Sequence, residues 1–458
     1  MRLGKFKALI IVALFLYCVI IILPPLIHGY VYPNIGTDTA MHMNQFDEMV
    51  IGKPIPSVLY FGYYVVGYPL DVFSHVFDMS KDTLFFWFNY LVLLGVGLTL
   101  FFVFKRLVGT PAGLLALILP TFASFSILLL FYSGVIFNII NMAIILPFYC
   151  YWLIQWLETN QRKYAIGAIC LITLFSVFHS TGIYTPIVCM VSFVLYVLHK
   201  RREHEPISKR FILVLSAISM GEVALFVVLN CAVVNVLFDS NSLIGISGVQ
   251  LLQESLLHYM SPIVVAIIAL SLMCLVDRHK LISERERLTI IMFGLLAVPL
   301  LVVMMFGWSP HPFRQGYDFA ILLSMVAVAL VGIVIRVDKR RVMTIILVVL
   351  VIVGASINVG NWVFGYNSAL EKVDIKAINY INSLPGDYYS CSKSIDHWIY
   401  DRYVDKDYLP CGGTVAVVRN IPMKSIVELD EETFSLFQRE SIMVLVDNES
   451  GVEIIIYR

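Results

Sequence analysis

Charge is scarce in this chain. Asp, Glu, Lys and Arg make up only 14% of its 458 residues, 59% are hydrophobic, and the mean hydropathy is +0.84. No water-soluble domain of ordinary composition is so poor in charge, which leaves the polytopic α-helical membrane class. The formal net charge is zero, so no basic field points to a nucleic-acid partner. There is no P-loop, no Cys/His spacing of a metal knuckle and no Gly-rich fingerprint after a strand. A nucleotide handled by this chain is therefore not expected. No internal repeat is visible, so the inverted-repeat architecture of many transporters finds no support. Cysteine is sparse as well: six of eight lie in apolar spans, leaving Cys391 and Cys411 in the tail. A disulfide between those two requires an oxidising side, and their spacing does not decide it.

What is abundant is long apolar runs. Spanning helices of about 20 residues fit near 8–27, 84–105, 111–131, 134–157, 164–181, 183–199, 211–237, 260–277, 288–307, 317–336 and 342–364, about eleven in all. The N-terminus resembles a signal peptide, but its apolar run is too long for one and lacks a small-residue cleavage site, so it reads as a retained first helix. Basic clusters occur at Arg2/Lys5/Lys7, Lys105/Arg106, Arg162/Lys163, His199–Arg210, Arg278–Arg287 and Arg336–Arg341. Each falls on one side of the membrane under this count, which predicts a cytoplasmic N-terminus. An odd number of spans then places the tail outside, together with Tyr32–His75, the turn at Tyr132–Ser133, Asp239–His258 and the turn Gly307–Gly316. Val249–Leu257 reads as an amphipathic surface piece, and Val58–Phe77 as a re-entrant or interfacial helix.

Two regions follow: a membrane body over 1–366, with a long first outer loop at 28–83, and a small α+β unit over 367–458. The latter holds 9 Lys and Arg against 15 Asp and Glu, so it is acidic. Ser368–Glu371 is a capping-box pattern opening a helix over Ala369–Ser383, which Pro385-Gly386-Asp387 ends. Thr414–Val418 and Ser441–Val446 read as strands with a helix near Glu431–Arg439 between them. Asp447–Gly451 turns the chain back into Val452–Tyr457, a terminal hairpin.

The first outer loop is the long polar interruption in the first half of the chain. Asp38 and His42 are four residues apart and share a face if the segment is helical; Asp47 and Glu48 follow two turns later. A carboxylate here can serve as general base, or hold a divalent ion, magnesium or manganese, with a second carboxylate; Asp38 and Glu48 are the pair for that. A solvated loop with ordinary charges is the competing account. Tyr60, Tyr63, Tyr64 and Tyr68 follow within nine residues. They suit either sugar stacking or a membrane-interface belt. Asp71 and His75, four apart, close the loop as groups that could line a substrate path. Beyond it, Arg314 and His311 lie in HPFRQGYD, where a guanidinium could grip phosphate or snorkel to headgroups. His179 with Ser180 and Thr181 forms a polar cluster at the end of the fifth span, either functional or capping the turn before Gly182. Asn138 and Asn141 suit interhelical hydrogen bonding better than sugar binding.

This order of parts (one helix, a long outer loop with an acid near its start, many helices, an outer C-terminal unit) resembles the GT-C superfamily of membrane glycosyltransferases. Its members include protein mannosyltransferases, oligosaccharyltransferase catalytic subunits and bacterial lipid-sugar transferases. The resemblance implies a polyprenyl-phosphate-sugar donor, a glycan, lipid or protein acceptor, and inverting chemistry at the outer face. It carries the catalytic acid to Asp38 in GTDTAMH, the Tyr-Pro end of the loop to Tyr68-Pro69-Leu70, and the carrier-phosphate contact to Arg314, with His311 as a weaker partner. The tail lacks the WWDYG-type signature of oligosaccharyltransferases. An Asp-Glu pair like that of protein mannosyltransferases stands at Asp47-Glu48 rather than at Asp38, so the sequence leaves two candidate acids. The expected location is a bacterial or archaeal plasma membrane. Two other functions fit the sequence: a transporter or flippase of lipid-linked sugars, for which Glu222 is the clearest span carboxylate, and a non-catalytic scaffold whose acidic tail binds a partner.

Overall fold

The structure is a computed structural model. It describes residues 2–28, 37–50, 61–124, 126–132, 135–204, 216–217, 220–222, 224, 262–305, 312–338, 341–364, 372–383, 388–390, 415–420, 441–447 and 452–457; within these, the side chains of Asp38, Glu48 and Arg314 are not among those described. His311, Tyr60, Ser133 of the expected turn after Tyr132, Asp239–His258, the capping box, Pro385–Asp387, both tail cysteines and the helix expected near Glu431–Arg439 lie outside the described residues.

Helices occupy the apolar runs. They are α1 (Arg2–His28), α2 (Thr37–Val50), α3 (Phe61–Phe77), α4 (Lys81–Leu107), α5 (Thr110–Ile118), α6 (Ser126–Tyr132), α7 (Ile136–Ile140), α8 (Leu146–Thr159), α9 (Arg162–Phe178), α10 (Thr185–Arg202), α11 (Pro262–Val276), α12 (Glu284–Met305), α13 (Pro312–Val337), α14 (Val342–Phe364) and α15 (Lys372–Ser383). Six described segments are long and apolar enough to cross a membrane: Ile10–Ile27, Lys81–Leu107, Ile136–Thr159, Thr181–Arg202, Gly316–Val337 and Val342–Val363. The chain is thus a multi-pass helical membrane protein. The run expected at 211–237 lies largely outside the described residues.

Burial separates the helices by role. In α13, 83% of the apolar window is buried, against 22% in α1 and in α14. So α13 is the central helix, packed by α5, α11 and α12, while α1 and α14 present apolar side chains outward. The run expected as one span at 111–131 is broken: α5 passes into a π-helical turn at Leu119–Ala123, and α6 starts anew at Ser126. Pro120 sits in that turn and has no N–H to give. The widened turn frees carbonyls, and Asn358 on α14 donates its amide to that of Phe122 at 2.6 Å. Likewise the Tyr17 hydroxyl donates to the Leu93 carbonyl and the Trp362 indole N–H to that of Ile20.

The basic connections gather at one end. Arg285 bonds Glu158 and the Arg106 carbonyl, Arg336 bonds Glu286, Arg278 reaches Asp338, and Arg202 pairs with Glu284. Lys81 and Arg106 lie near opposite ends of α4, ~38 Å apart along its axis. The α2–α3 pair, which packs on the other end of α4, is therefore distant from this basic end. In the tail a four-stranded sheet has the order β1-β2-β4-β3, from Tyr388–Ser390, Val415–Asn420, Ser441–Asp447 and Val452–Tyr457. β3 and β4 form the antiparallel hairpin and α15 packs on both. β1, parallel to β2, was not legible in the sequence.

Candidate active site at one end of the helix bundle

The stretch expected to be the first outer loop contains two helices, α2 and α3. In α2, His42, Met43, Phe46 and Met49 are buried, a spacing of three to four residues that defines one helical face. In α3, Tyr63, Val66 and Leu70 do the same. Placing these two faces against α4 and the bundle removes a row of large side chains from water, which overturns the account of this stretch as a solvated loop. Gly62 permits the approach: a Cβ there would stand 2.6 Å from the Phe178 carbonyl oxygen at the end of α9.

The two faces meet at α7. The Phe137 ring lies 4.9 Å from that of His42, nearly perpendicular, 5.0 Å from Tyr63, and 6.4 Å from His179, nearly parallel. His42 Nδ1 and the Tyr63 hydroxyl share a hydrogen bond of 2.6 Å. With the neutral Nε2–H tautomer, Tyr63 is the donor. Three residues singled out from sequence, His42, Tyr63 and His179, therefore converge on one ring the sequence did not point to. Asp38 is one turn before His42 on α2, on the same face by helix register.

The next residue, Asn138, donates its amide to Asp318 Oδ1 at 2.9 Å. Asp318 is completely buried on α13, and the Tyr184 hydroxyl donates to its other oxygen at 3.2 Å. Arg314 is four residues earlier on the same helix. α13 begins at Pro312, inside the stretch expected to be a turn, because proline is preorganised for the first helical position. Arg314 thus stands in the first turn of a helix. Asp318 is the functional candidate sequence reasoning passed over. Its signal was available: a carboxylate two residues into an expected span, one turn from Arg314.

The remaining sequence candidates are placed less centrally. Asp47 is taken by Lys81, whose ammonium lies 2.9 Å from it and 2.8 Å from Asp71. The Asp47 carboxylate is thus already engaged by a neighbouring ammonium. Asp71 also receives His75, through its backbone carbonyl at 2.8 Å, and His75 is otherwise exposed. Tyr68 is exposed and stacks obliquely on Tyr64, so it is available at the surface where Tyr63 is not. His179 ends α9, and its Nδ1 accepts the Thr181 backbone N–H at 3.4 Å in the 3₁₀ turn Ser180–Tyr184. That is the capping geometry before Gly182. Asn141 bonds Thr181 at 2.7 Å and the Phe175 carbonyl, as an interhelical tie. Glu222 is buried and accepts hydroxyls from Thr173 and Ser176, both on α9. Among the described residues no group of three or more His, Cys, Asp or Glu is arranged to hold a metal ion.

No family model matches the chain, and no curated protein matches it by sequence. Solved structures do match. The crystal structure of the Archaeoglobus fulgidus oligosaccharyltransferase in the apo form aligns with a TM-score of 0.54 at 10% identity, over 87% of this chain and 64% of that one. The Archaeoglobus fulgidus enzyme AglB, in complex with an inhibitory peptide and a dolichol-phosphate, gives 0.54 at 10% identity, over 88% and 64%. The same organism's enzyme with Zn and sulfate gives 0.52 at 12%, over 86% and 62%. The likeness is one of fold, and it is the fold expected from the resemblance to the GT-C superfamily. The chain spans less than two thirds of the length of these proteins.

Proposed function

We propose that this chain is an integral-membrane glycosyltransferase that moves a sugar from a polyprenyl-phosphate carrier to a lipid, glycan or protein acceptor at the outer face. The observation that carries this reading is the shared fold with an oligosaccharyltransferase solved with a dolichol-phosphate, spanning nearly the whole of this chain. The convergence of α2, α3, α7 and α13 adds support, because it brings the turn bearing Asp38 and the turn bearing Arg314 to the same end of the bundle.

In this reading Asp38 is the general base. Its carboxylate takes the proton of an acceptor hydroxyl as that oxygen attacks the anomeric carbon. The bond from that carbon to the carrier phosphate breaks, and the electron pair leaves with the phosphate. Arg314 holds the phosphate bidentately and stabilises the charge that develops there. A single displacement of this kind inverts the anomeric centre. Asp38 is preferred to Asp47 because Lys81 occupies the Asp47 carboxylate. His42, bonded to Tyr63, orders the helix turn that follows Asp38. The membrane is read as a bacterial or archaeal plasma membrane, with an inner N-terminus and the sheet-bearing tail outside.

The test is a transfer assay in nanodiscs. Wild type and Asp38→Asn are incubated with radiolabelled polyprenyl-phosphate sugars and a crude membrane acceptor extract, with and without chelator. Transfer by wild type and a loss of at least a hundredfold in Asp38→Asn are expected. Full activity in Asp38→Asn sinks the assigned base, and the chelator arm decides whether Asp38 and Glu48 share a divalent cation.

A further inference from the structure

We infer that Asp318 is a positioning residue: through Asn138 it fixes the helix turn that carries Arg314 against the α7 hub, and so sets the spacing between the two halves of the site. The inference rests on the transferase reading and adds to it a residue and a role.

The argument starts from cost. Phe319, Ala320 and Ile321 beside Asp318 are all buried, and a carboxylate taken into such surroundings is expensive unless hydrogen-bonded. Asp318 is accommodated by donors from two separate elements, Asn138 of α7 and Tyr184 of the turn before α10. A carboxylate offers acceptors only, so it also dictates which way the Asn138 amide faces: the reversed amide would set oxygen against oxygen. The Asn138 carbonyl oxygen is consequently left buried without a hydrogen-bond partner among the described residues. A neutral apolar residue at 318 would avoid both costs, and packing alone does not call for a carboxylate.

What the arrangement achieves is connection. From the Arg314 turn to Asp318 is one helical turn, ~6 Å along α13. Asp318 bonds Asn138; the adjacent Phe137 packs on His42; and His42 lies one turn after Asp38. The outer end of α13 and the α2 helix are thus linked through two consecutive residues of α7. An in-line displacement needs the acceptor oxygen, anomeric carbon and phosphate in register, and displacement of either half by about 1 Å lowers the rate sharply.

The experiment compares wild type, Asp318→Ala, Asp318→Asn, Arg314→Ala, the double variant Arg314→Ala/Asp318→Ala, and the exchange Asn138→Asp/Asp318→Asn. All are reconstituted in nanodiscs and checked for monodispersity and melting temperature. Donor and acceptor KM are measured separately, alongside equilibrium binding of polyprenyl phosphate. Asp318→Ala is expected to raise the donor KM about tenfold with the acceptor KM unchanged. Its effect should not multiply with that of Arg314→Ala, because both act on one contact. The exchange variant restores a carboxylate–amide pair in reverse and should return the donor KM to within about threefold of wild type. If Asp318→Ala does not fold, the exchange decides: a folded exchange protein with a donor KM still raised tenfold overturns the inference. An unchanged donor KM in folded Asp318→Ala, or losses at 314 and 318 that multiply, overturns it too and leaves the transferase reading intact. A wild type that neither binds polyprenyl phosphate nor transfers sugar overturns both.

Discussion

Replacement of Lys81 by Met should loosen the α2–α3 pair without unfolding the bundle. Lys81 opens α4 and holds Asp47 near the end of α2 at 2.9 Å and Asp71 in α3 at 2.8 Å. The side chains of Lys81 and Asp71 are 21% and 20% exposed, while that of Asp47 is 43% exposed and screened by solvent. Exposed ion pairs contribute roughly 0.2–1 kcal/mol each, so the Asp47 pair belongs at the low end and the Asp71 pair at the high end. Removing the ammonium also leaves two carboxylates near one another, taking the cluster from one net negative charge to two. Together these give a loss of about 1–2 kcal/mol, confined to the docking of α2 and α3. Since 1.36 kcal/mol is tenfold in an equilibrium, local opening becomes about 5- to 30-fold more frequent. Hydrogen exchange followed by mass spectrometry reads this directly: peptides covering Thr37–Val50 and Phe61–Phe77 should exchange faster by that factor, with the interior of α4 unchanged. Adding Asp71→Asn to Lys81→Met returns the net charge to minus one and should recover part of the protection. Exchange in α2 and α3 within twofold of wild type would refute the reasoning, because the cluster would then hold nothing.

Gly182→Ala should lower the melting temperature and the yield of monodisperse protein, since the new Cβ would lie 2.1 Å from the Ser176 carbonyl oxygen and overpacking of this kind costs about 1–3 kcal/mol. Gly294→Ala, where nothing lies within 4 Å, is the control and should melt no lower than wild type. Asp338, at the basic end, has its pKa held below the ordinary 3.8 by the Thr344 backbone N–H first and by Arg278 second. A depressed carboxylate contributes stability that is present above its unfolded pKa and lost as pH falls through its folded one. The melting difference between wild type and Asp338→Asn should therefore be constant from pH 6 to 8 and shrink only below about pH 4; a difference that shrinks already between pH 8 and 6 contradicts the assignment. Glu222→Gln keeps an acceptor for one of the Thr173 and Ser176 hydroxyls and can donate to the other, so transfer activity should stay within about threefold of wild type. Abolished activity in Glu222→Gln, with Asp38→Asn still active, would favour transport of a lipid-linked sugar instead.

Much of the architecture was legible because membranes enforce simple rules. A backbone in hydrocarbon must bond to itself, so each long apolar run had to be helical, and helices lie in all ten of the expected runs that fall mainly among the described residues. The terminal hairpin was readable from a period of two around a turn, and β3 and β4 pair as it requires. Side-chain roles were less legible. Tyr63 and Tyr68 sit five residues apart in one aromatic run, yet one is buried against His42 and the other faces outward. Sequence gives the helical face, and only the neighbours decide which face is covered.

The same division holds at the site. By itself the sequence determined a multi-pass helical protein with an acid-bearing polar segment after its first helix, because composition and apolar length act locally and need no partner. Tertiary structure alone decided that Asp47 is held by Lys81 and that Asp318 is joined to Asn138 across 180 residues of chain. A carboxylate's chemistry is set by what comes within about 4 Å of it, and for these groups folding brings those neighbours from distant helices.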